Sequence, residues 1–406
     1  MRKIQGWLLI IDLFVATYSY SQQINGSVVD LITNQRIPFA NIYCPKIKKG
    51  TLSNENGEYG FPIPSFPVQL VVSHISYQSD TITIVEPTDN YTVHLKPAAH
   101  ELDPVTVSNA GYKLIKQAFT QVNAGRSIIY GNAFYRQLTK NGSQFTEIQE
   151  VTYNIALSSN KIEGVQIGNA RYAKLPSDDK KMYLSFTNFS YLVLAQKSIS
   201  QSKPTENAVL FPVRPDVADY YDVQVTDVLT QPSGDKIAEL DCHIREDYTN
   251  PAFSGKVYIN MNNYKLVKVH GTIPNSMGAV INNAKTLTEN YVYTVDVDYT
   301  SQANTTVFNS IRVTVEFDQL IRATGEKRKD WVSAFLLIND FSNAATRGKY
   351  KPINIHREDL KLIQGAKYDA EFWRNNSVVR RTPLEESTIK AFEQQGVMGN
   401  MKFEPQ

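Results

Sequence analysis

Between Ile24 and Leu95, apolar positions alternate with polar ones in short runs, each broken by turn formers. Val28, Val29 and Leu31 lead into Thr33-Asn34-Gln35, Pro38–Tyr43 follows, and Leu70–Tyr77 is a longer run. Thr81–Val85 and Tyr91–Leu95 close the set, with Tyr91, Val93 and Leu95 alternating against Thr92 and His94. Short strands at this spacing, with no helical period, predict a small β-sandwich over 22–96. Residues 97–111 read as a linker. Leu114, Ile115, Ala118, Phe119 and Val122 then fall at helical spacing and predict one amphipathic helix.

From about Gly131 to Asp340 the two-residue period returns, as in Asp222–Leu229, Ile237–Ile244, Gly255–Asn260, Lys265–Gly271, Tyr291–Tyr299 and Ile311–Phe317. Ala238, Leu240, Cys242 and Ile244 oppose Glu239, Asp241, His243 and Arg245, the pattern of an antiparallel sheet with one wet face. Asn262-Asn263 predicts a hairpin turn. The second unit is therefore expected over 112–345, with a C-terminal segment over 346–406. In that segment Thr382 can cap a helix, Pro383 suits its first turn, and Glu385 and Glu386 favour its positive end. Leu384, Ile389 and Phe392 are expected as its buried side. A helix this short needs support, so it should dock on the large sheet.

The stretch GTLSNENGEYGF (50–61) could be a calcium loop or a turn. With Gly57 at the sixth loop position, Leu52 falls at the first and Ile63 at the twelfth, so two key oxygen ligands are missing. Asn56-Gly57 tolerates positive φ and predicts a hairpin turn instead.

The same residues carry a resemblance. Gly26-x-Val28-x-Asp30, Pro38-x-Ala40-x-Ile42, Gly50-Thr51-x-Ser53-Asn54-x-x-Gly57-x-Tyr59, Leu70-x-Val72-Ser73-x-Ile75-x-Tyr77 and Val93-x-Leu95 resemble the carboxypeptidase-regulatory-like domain. That resemblance implies a transthyretin-like β-sandwich at the amino end of an exported protein of Bacteroidetes-type bacteria, and no catalysis. Ser76 replaces the glycine usual before the tyrosine. Glu101–Val107 is similar to the segment that often follows this domain. Phe253–Thr272 is similar to hairpins of lipoprotein-carrier-like half-barrels. Tyr368–Trp373 with Arg381–Phe392 resembles the carboxyl end of Bacteroidetes envelope proteins that carry the same domain. The expected fold is mainly β with a few helices: the sandwich, then a larger antiparallel sheet, read as a half-barrel, with flanking helices.

Composition narrows the setting. Arg2 and Lys3 precede the apolar run Trp7–Ala16 and the polar Thr17–Gln23, so residues 1–21 read as a secretory signal peptide. No later run reaches the roughly 20 apolar residues a membrane-spanning helix needs. The expected location is the periplasm or the outer membrane. The formal net charge is +2, which argues against nucleic-acid binding. Cys44 and Cys242 are the only cysteines. Export permits a disulfide, but the reading is two buried thiols.

Candidate chemistry is sparse. His243-Ile244-Arg245-Glu246 with His356 resembles a zinc ligand set, yet positions i and i+3 of a strand point to opposite faces. No phosphate loop, dinucleotide fingerprint or nucleophile elbow is present. Asp178-Asp179 and Asp296/Asp298 read as loop or sheet-face carboxylates. No catalytic residue, metal site or cofactor is expected. Phe186, Phe189, Tyr191, Tyr220 and Tyr221 could line a ligand surface or simply fill a β core. The leading expectation is a non-enzymatic envelope module that binds another envelope protein. A periplasmic carrier of an apolar ligand, such as a lipid or lipoprotein acyl chain, is the alternative. A hydrolase acting on peptide or glycan comes third.

Overall fold

The computed structural model describes residues 22–63, 65–87, 90–100, 108–125, 127–159, 161–175, 193, 209–274, 286–341, 350–352, 359–366, 368–375 and 378–399. The chain is mainly β, with a small front unit and a large antiparallel sheet.

Seven strands build the front unit. In one sheet β1 (Gln22–Asp30) pairs antiparallel with β4 (Glu58–Ile63) and parallel with β7 (Tyr91–Leu95). In the other, β2 (Asn41–Cys44), β3 (Lys49–Leu52), β5 (Val68–Ser73) and β6 (Asp80–Ile84) run in the order β6-β5-β2-β3. Ile24, Val28, Ile42, Tyr59, Phe61, Leu70, Val72 and Val93 fill the space between, none more than 2% exposed. Gly26 is required where β1 passes β7, because a Cβ there would lie 2.1 Å from the Tyr91 carbonyl oxygen.

The turn expected at Asn56-Gly57 forms, but not as a hairpin. Asn54 Oδ1 accepts the N–H groups of Asn56 and Glu58, each at 2.9 Å. Gly57 takes φ 71° and donates to Asn54 O at 2.9 Å. The strands it joins then part: β3 pairs with β2 and β4 with β1. The turn carries the chain from one sheet of the sandwich to the other.

The large sheet contains β8 (Ala99–His100), β9 (Ile129–Asn141), β10 (Gln144–Ser158), β11 (Lys161–Lys174), β12 (Tyr221–Thr230) and β13 (Lys236–Ile244). It continues with β14 (Ser254–Asn260), β15 (Leu266–Pro274), β16 (Thr286–Gln302), β17 (Thr305–Ile321) and β18 (Glu326–Asp340). The order is β11-β10-β9-β18-β17-β16-β15-β14-β13-β12-β8, antiparallel throughout. The Asn262-Asn263 hairpin forms, with Asn260 Oδ1 accepting from both backbone N–H groups. β8 lies inside the stretch expected as a linker, which is thereby pinned to the far edge at Leu229 and Thr230. At an interior strand of the sheet, Asp340 of β18 pairs with Lys49 of β3, joining the two units.

The inner face packs on α1 (Ser108–Ala124), whose Leu114, Ile115, Ala118 and Val122 are buried as its period predicts. α1 touches β12, β14 and β17, so the sheet curls around it. Burying Leu114, Ile115 and Val122 contributes about 1.5–3 kcal/mol each. Cys44 and Cys242 are free thiols in separate cores.

Three short helices follow, α2 (Asp359–Gln364), α3 (Ala370–Asn375) and α4 (Pro383–Gln394). Thr382 caps α4 in a capping box: its Oγ1 accepts from the Glu385 N–H at 3.2 Å, and Glu385 Oε2 accepts from the Thr382 N–H at 2.7 Å. Ile389 and Phe392 pack on Leu138, Ile148, Ala173 and Leu175 of the outer face. Leu384, expected to be buried with them, is 58% exposed. The helical period explains this, because Glu385, not Leu384, stands four and seven residues before Ile389 and Phe392.

Glu385 therefore points at the sheet, where it meets Arg136 at 3.2 Å. Arg136, Glu150 and Arg171 are direct cross-strand neighbours on β9, β10 and β11. Arg136 Nε donates to Glu150 Oε1 at 2.7 Å, and Arg171 Nε to Glu150 Oε2 at 2.5 Å. Arg381 stands 3.9 Å from the same carboxylate. Burial alone would raise the Glu150 pKa, but Arg171, Arg136 and Arg381 outweigh it and hold the group at about 2. Its folded value lies below its unfolded value near 4.3, so its stabilisation is complete above that pH and fades as pH falls toward 2. Urea unfolding should show that loss in the native chain. Glu150→Gln should flatten the profile in this window and cost about 3–5 kcal/mol at neutral pH, because three guanidinium groups lose their anion.

Candidate binding cleft

The outer face of the large sheet also carries the front unit, and a cleft of about 430 Å³ lies along the seam. Lys268 of β15 and Asp298 of β16 line it, and both belong to a charged ladder that runs on beyond the cleft across β15, β16 and β17. Lys268 and Asp298 are cross-strand partners, as are His270 and Asp296, and Asp296 and Arg312. Lys268 Nζ donates to Asp296 at 2.6 Å and to Asp298 at 3.0 Å. His270 Nδ1 lies 3.1 Å from Asp296, and Ser310 donates to Asp298 at 2.9 Å. Burial works against the Asp296 charge, but His270, Lys268 and Arg312 reverse the balance and lower its pKa. Asp296 and Asp298 are both held by the Lys268 ammonium, and of the two Asp298 lines the cleft.

The roof comes from the front unit. Asn41, Ser73, His74 and Ile75 face Lys268, Asp298, Thr300 and Gln231 across the cleft. His74 Nδ1 accepts the Ser76 N–H at 3.3 Å, which leaves the ring proton on Nε2. Burial, with Lys268 adding to it, lowers the His74 pKa to about 4. The group is an uncharged donor at neutral pH.

Phe39 closes one end. Its ring lies over the Arg312 guanidinium, 3.1 Å from centroid to carbon. Its backbone holds φ 59°, a left-handed conformation that costs a bulky residue about 1–3 kcal/mol. Leu52, Ser53, Asn54 and Glu55 of the turn lie beside it around a small pocket of about 50 Å³ that also touches Arg312 and Glu385. The turn that separates the two sheets of the sandwich thus also faces the seam.

The expected ligand surface is distributed differently. Phe186, Phe189 and Tyr191 lie outside the described residues, as do His356, Asp178 and Asp179. Tyr221 is fully buried, its hydroxyl donating to Leu210 O at 2.9 Å. Tyr220 is half-buried, edge-on to Tyr248 and 4.7 Å beneath Arg214. His243 is exposed and bound to Asp241 at 3.0 Å. Among the described residues no three His, Cys, Asp or Glu side chains gather as a metal site, and no helix is long and apolar enough to cross a membrane. The cleft was not legible in the chain, because its ladder depends on cross-strand register over three strands. The alternation of Lys268/His270 and Asp296/Asp298 was the available signal.

Comparison with known families adds one assignment. Residues 24–107 match the CarboxypepD_reg-like domain. The match covers the front unit and runs past the sandwich strands through β8. A search of curated proteins found no match. Among solved structures, a DUF1329 family protein from Desulfovibrio piger is similar at 8% identity, covering 60% of this chain and 97% of that one, with a TM-score of 0.24. A LolA superfamily protein from Nitrosomonas europaea has 12% identity, 59% and 99% coverage, and a TM-score of 0.20. A membrane-associated protein of unknown function from Bacteroides fragilis has 11% identity, 79% and 98% coverage, and a TM-score of 0.16. Likenesses this distant assign no ligand.

Two outcomes test the cleft. A double-mutant cycle of Phe39→Ala and Arg312→Ala should give a coupling of about 1–2 kcal/mol; zero coupling would remove the stack from the account of the seam. In an NMR titration, the His74 ring should stay neutral until about pH 4. Its folded pKa lies below its unfolded one, so stability should fall as pH drops from about 6.5 toward that value. A midpoint near 6.5 would contradict the burial.

Proposed function

We propose that the protein is an exported, non-enzymatic binding protein of the cell envelope, and that the seam between the CarboxypepD_reg-like unit and the large sheet is its binding site. The observation that carries this reading is the cleft itself. It is lined from both units by neutral and charged hydrogen-bonding groups, with Asp298 paired to Lys268 and Asp235 accepting from the Ser233 hydroxyl. Ligand sites favour such junctions between units. A floor whose charges are internally paired suits a polar, uncharged ligand or a polar segment of a partner protein, since an added charge would have to break an existing pair. Export rests on the signal-like residues 1–21 and on the setting in which this domain family is expected.

The carrier reading asks for an apolar hollow on the inner face. In the described residues that face is occupied by α1 and the packed tyrosine and valine side chains around it. A polar seam therefore accounts for more of the structure than an acyl-chain groove.

The test is native and extraction mass spectrometry of residues 22–406 exported to a bacterial periplasm. The proposal expects a polar molecule or a partner peptide that co-purifies with the native chain and is lost from an Asn41→Ala, Gln231→Ala variant. A stoichiometric lipid retained by that variant would sink the seam reading and favour the carrier.

A further inference from the structure

Another cavity, of about 600 Å³, lies on the outer face between α3, α4 and β11, apart from the seam. Arg171, Arg374, Arg381 and Lys390 line it, with Glu386 and Glu393. Behind the lining, Arg171 and Arg381 share Glu150 with Arg136, and Arg136 also holds Glu385. Lining and network together set five cationic side chains against four carboxylates, which leaves one positive charge unmatched.

Hydrogen bonding shows the same deficit independently. The Nε–H of Arg381 and the Nε1–H of Trp373 are buried and have no acceptor among the described residues. Trp373 is only 2% exposed, and the Arg171 guanidinium stacks on its ring at 5.0 Å. Buried donors are ordinarily satisfied, so two without acceptors on residues that line the cavity show that this wall is short of acceptors as well as of negative charge. Tyr368, Ala370, Ile389 and Met398 complete the wall, the last two as its apolar side.

We propose that this cavity binds a single carboxylate carried on a small apolar group, as the carboxyl terminus of a peptide presents one. One negative charge completes the balance, where a phosphate dianion would exceed it. Planar guanidinium groups match a planar carboxylate through paired N–H donors. Ile389 and Met398 take the adjoining apolar side chain, which a sugar acid lacks. The site is independent of the seam.

Isothermal titration of residues 22–406 with N-acetyl-alanyl-leucine and with its amide tests this directly. The acid should bind at least about tenfold more tightly than the amide, and more weakly as salt is raised. Arg374→Ala with Lys390→Ala removes two exposed cations that pack on nothing in the core, so the melting temperature should hold while affinity for the acid falls about tenfold. Arg381→Lys keeps the charge but not the fork, and should also weaken the acid selectively. Equal binding of acid and amide, no heat from the acid up to about 10 mM, or full affinity in the double variant would overturn the proposal. Tighter binding of galacturonate or inorganic phosphate than of the acid would overturn it too, by assigning the cavity to a different anion.

Discussion

The organisation of the outer face depends on one carboxylate. Glu150 sits between two arginines on neighbouring strands, and neither could be buried without it. Because Arg136 and Arg171 are held there, Arg136 can reach out to Glu385 and to the Val379 carbonyl, while Arg171 lies against the Trp373 ring. The whole C-terminal segment is thus positioned by charge first and apolar packing second. Buried ion groups of this kind are weak evidence of net stability, since an apolar replacement can be as stable. What they supply here is register: only one placement of α4 puts its first-turn carboxylate on Arg136 and Phe392 on Ile148.

The seam between the units follows a related logic with a different balance. There the sheet presents a ladder of alternating sign, nearly self-neutral, and the front unit contributes an aromatic ring over Arg312 and an uncharged histidine. Thr51 also donates from β3 to Val378 O at 2.6 Å, so the sandwich touches the C-terminal segment as well as the sheet. Three parts of the chain far apart in sequence converge on Arg312, Arg136 and the turn after β3.

Much of the architecture was legible because it follows local rules. The two-residue period marked β13, the Asn-rich turn marked the β14–β15 hairpin, and the spaced glycines and tyrosines marked the front unit. The cap and the Pro383 start of α4 were also readable. What failed was anything that required knowing which strands are neighbours. The Asn56-Gly57 turn has hairpin chemistry, yet its strands belong to different sheets. Leu384 looked like a core residue by type, but the helical phase gave its place to Glu385. Arg136, Glu150 and Arg171 look like unrelated charges scattered over three strands, and only the register of β9, β10 and β11 reveals them as a unit. The cleft residues were hidden for the same reason.

The double attachment of the front unit carries a mechanical consequence. Its β3 is joined to β18 in the interior of the sheet, while the segment leaving β7 is stapled through β8 to β12 at a margin several strands away. A body tethered at two widely separated points cannot swing about either one. The seam then behaves as a rigid slot and not as a clamshell, and a guest must enter from its open side without prying the halves apart. Such a slot forgoes the tight enclosure of a closing jaw, but it spares the guest the entropy of ordering its host.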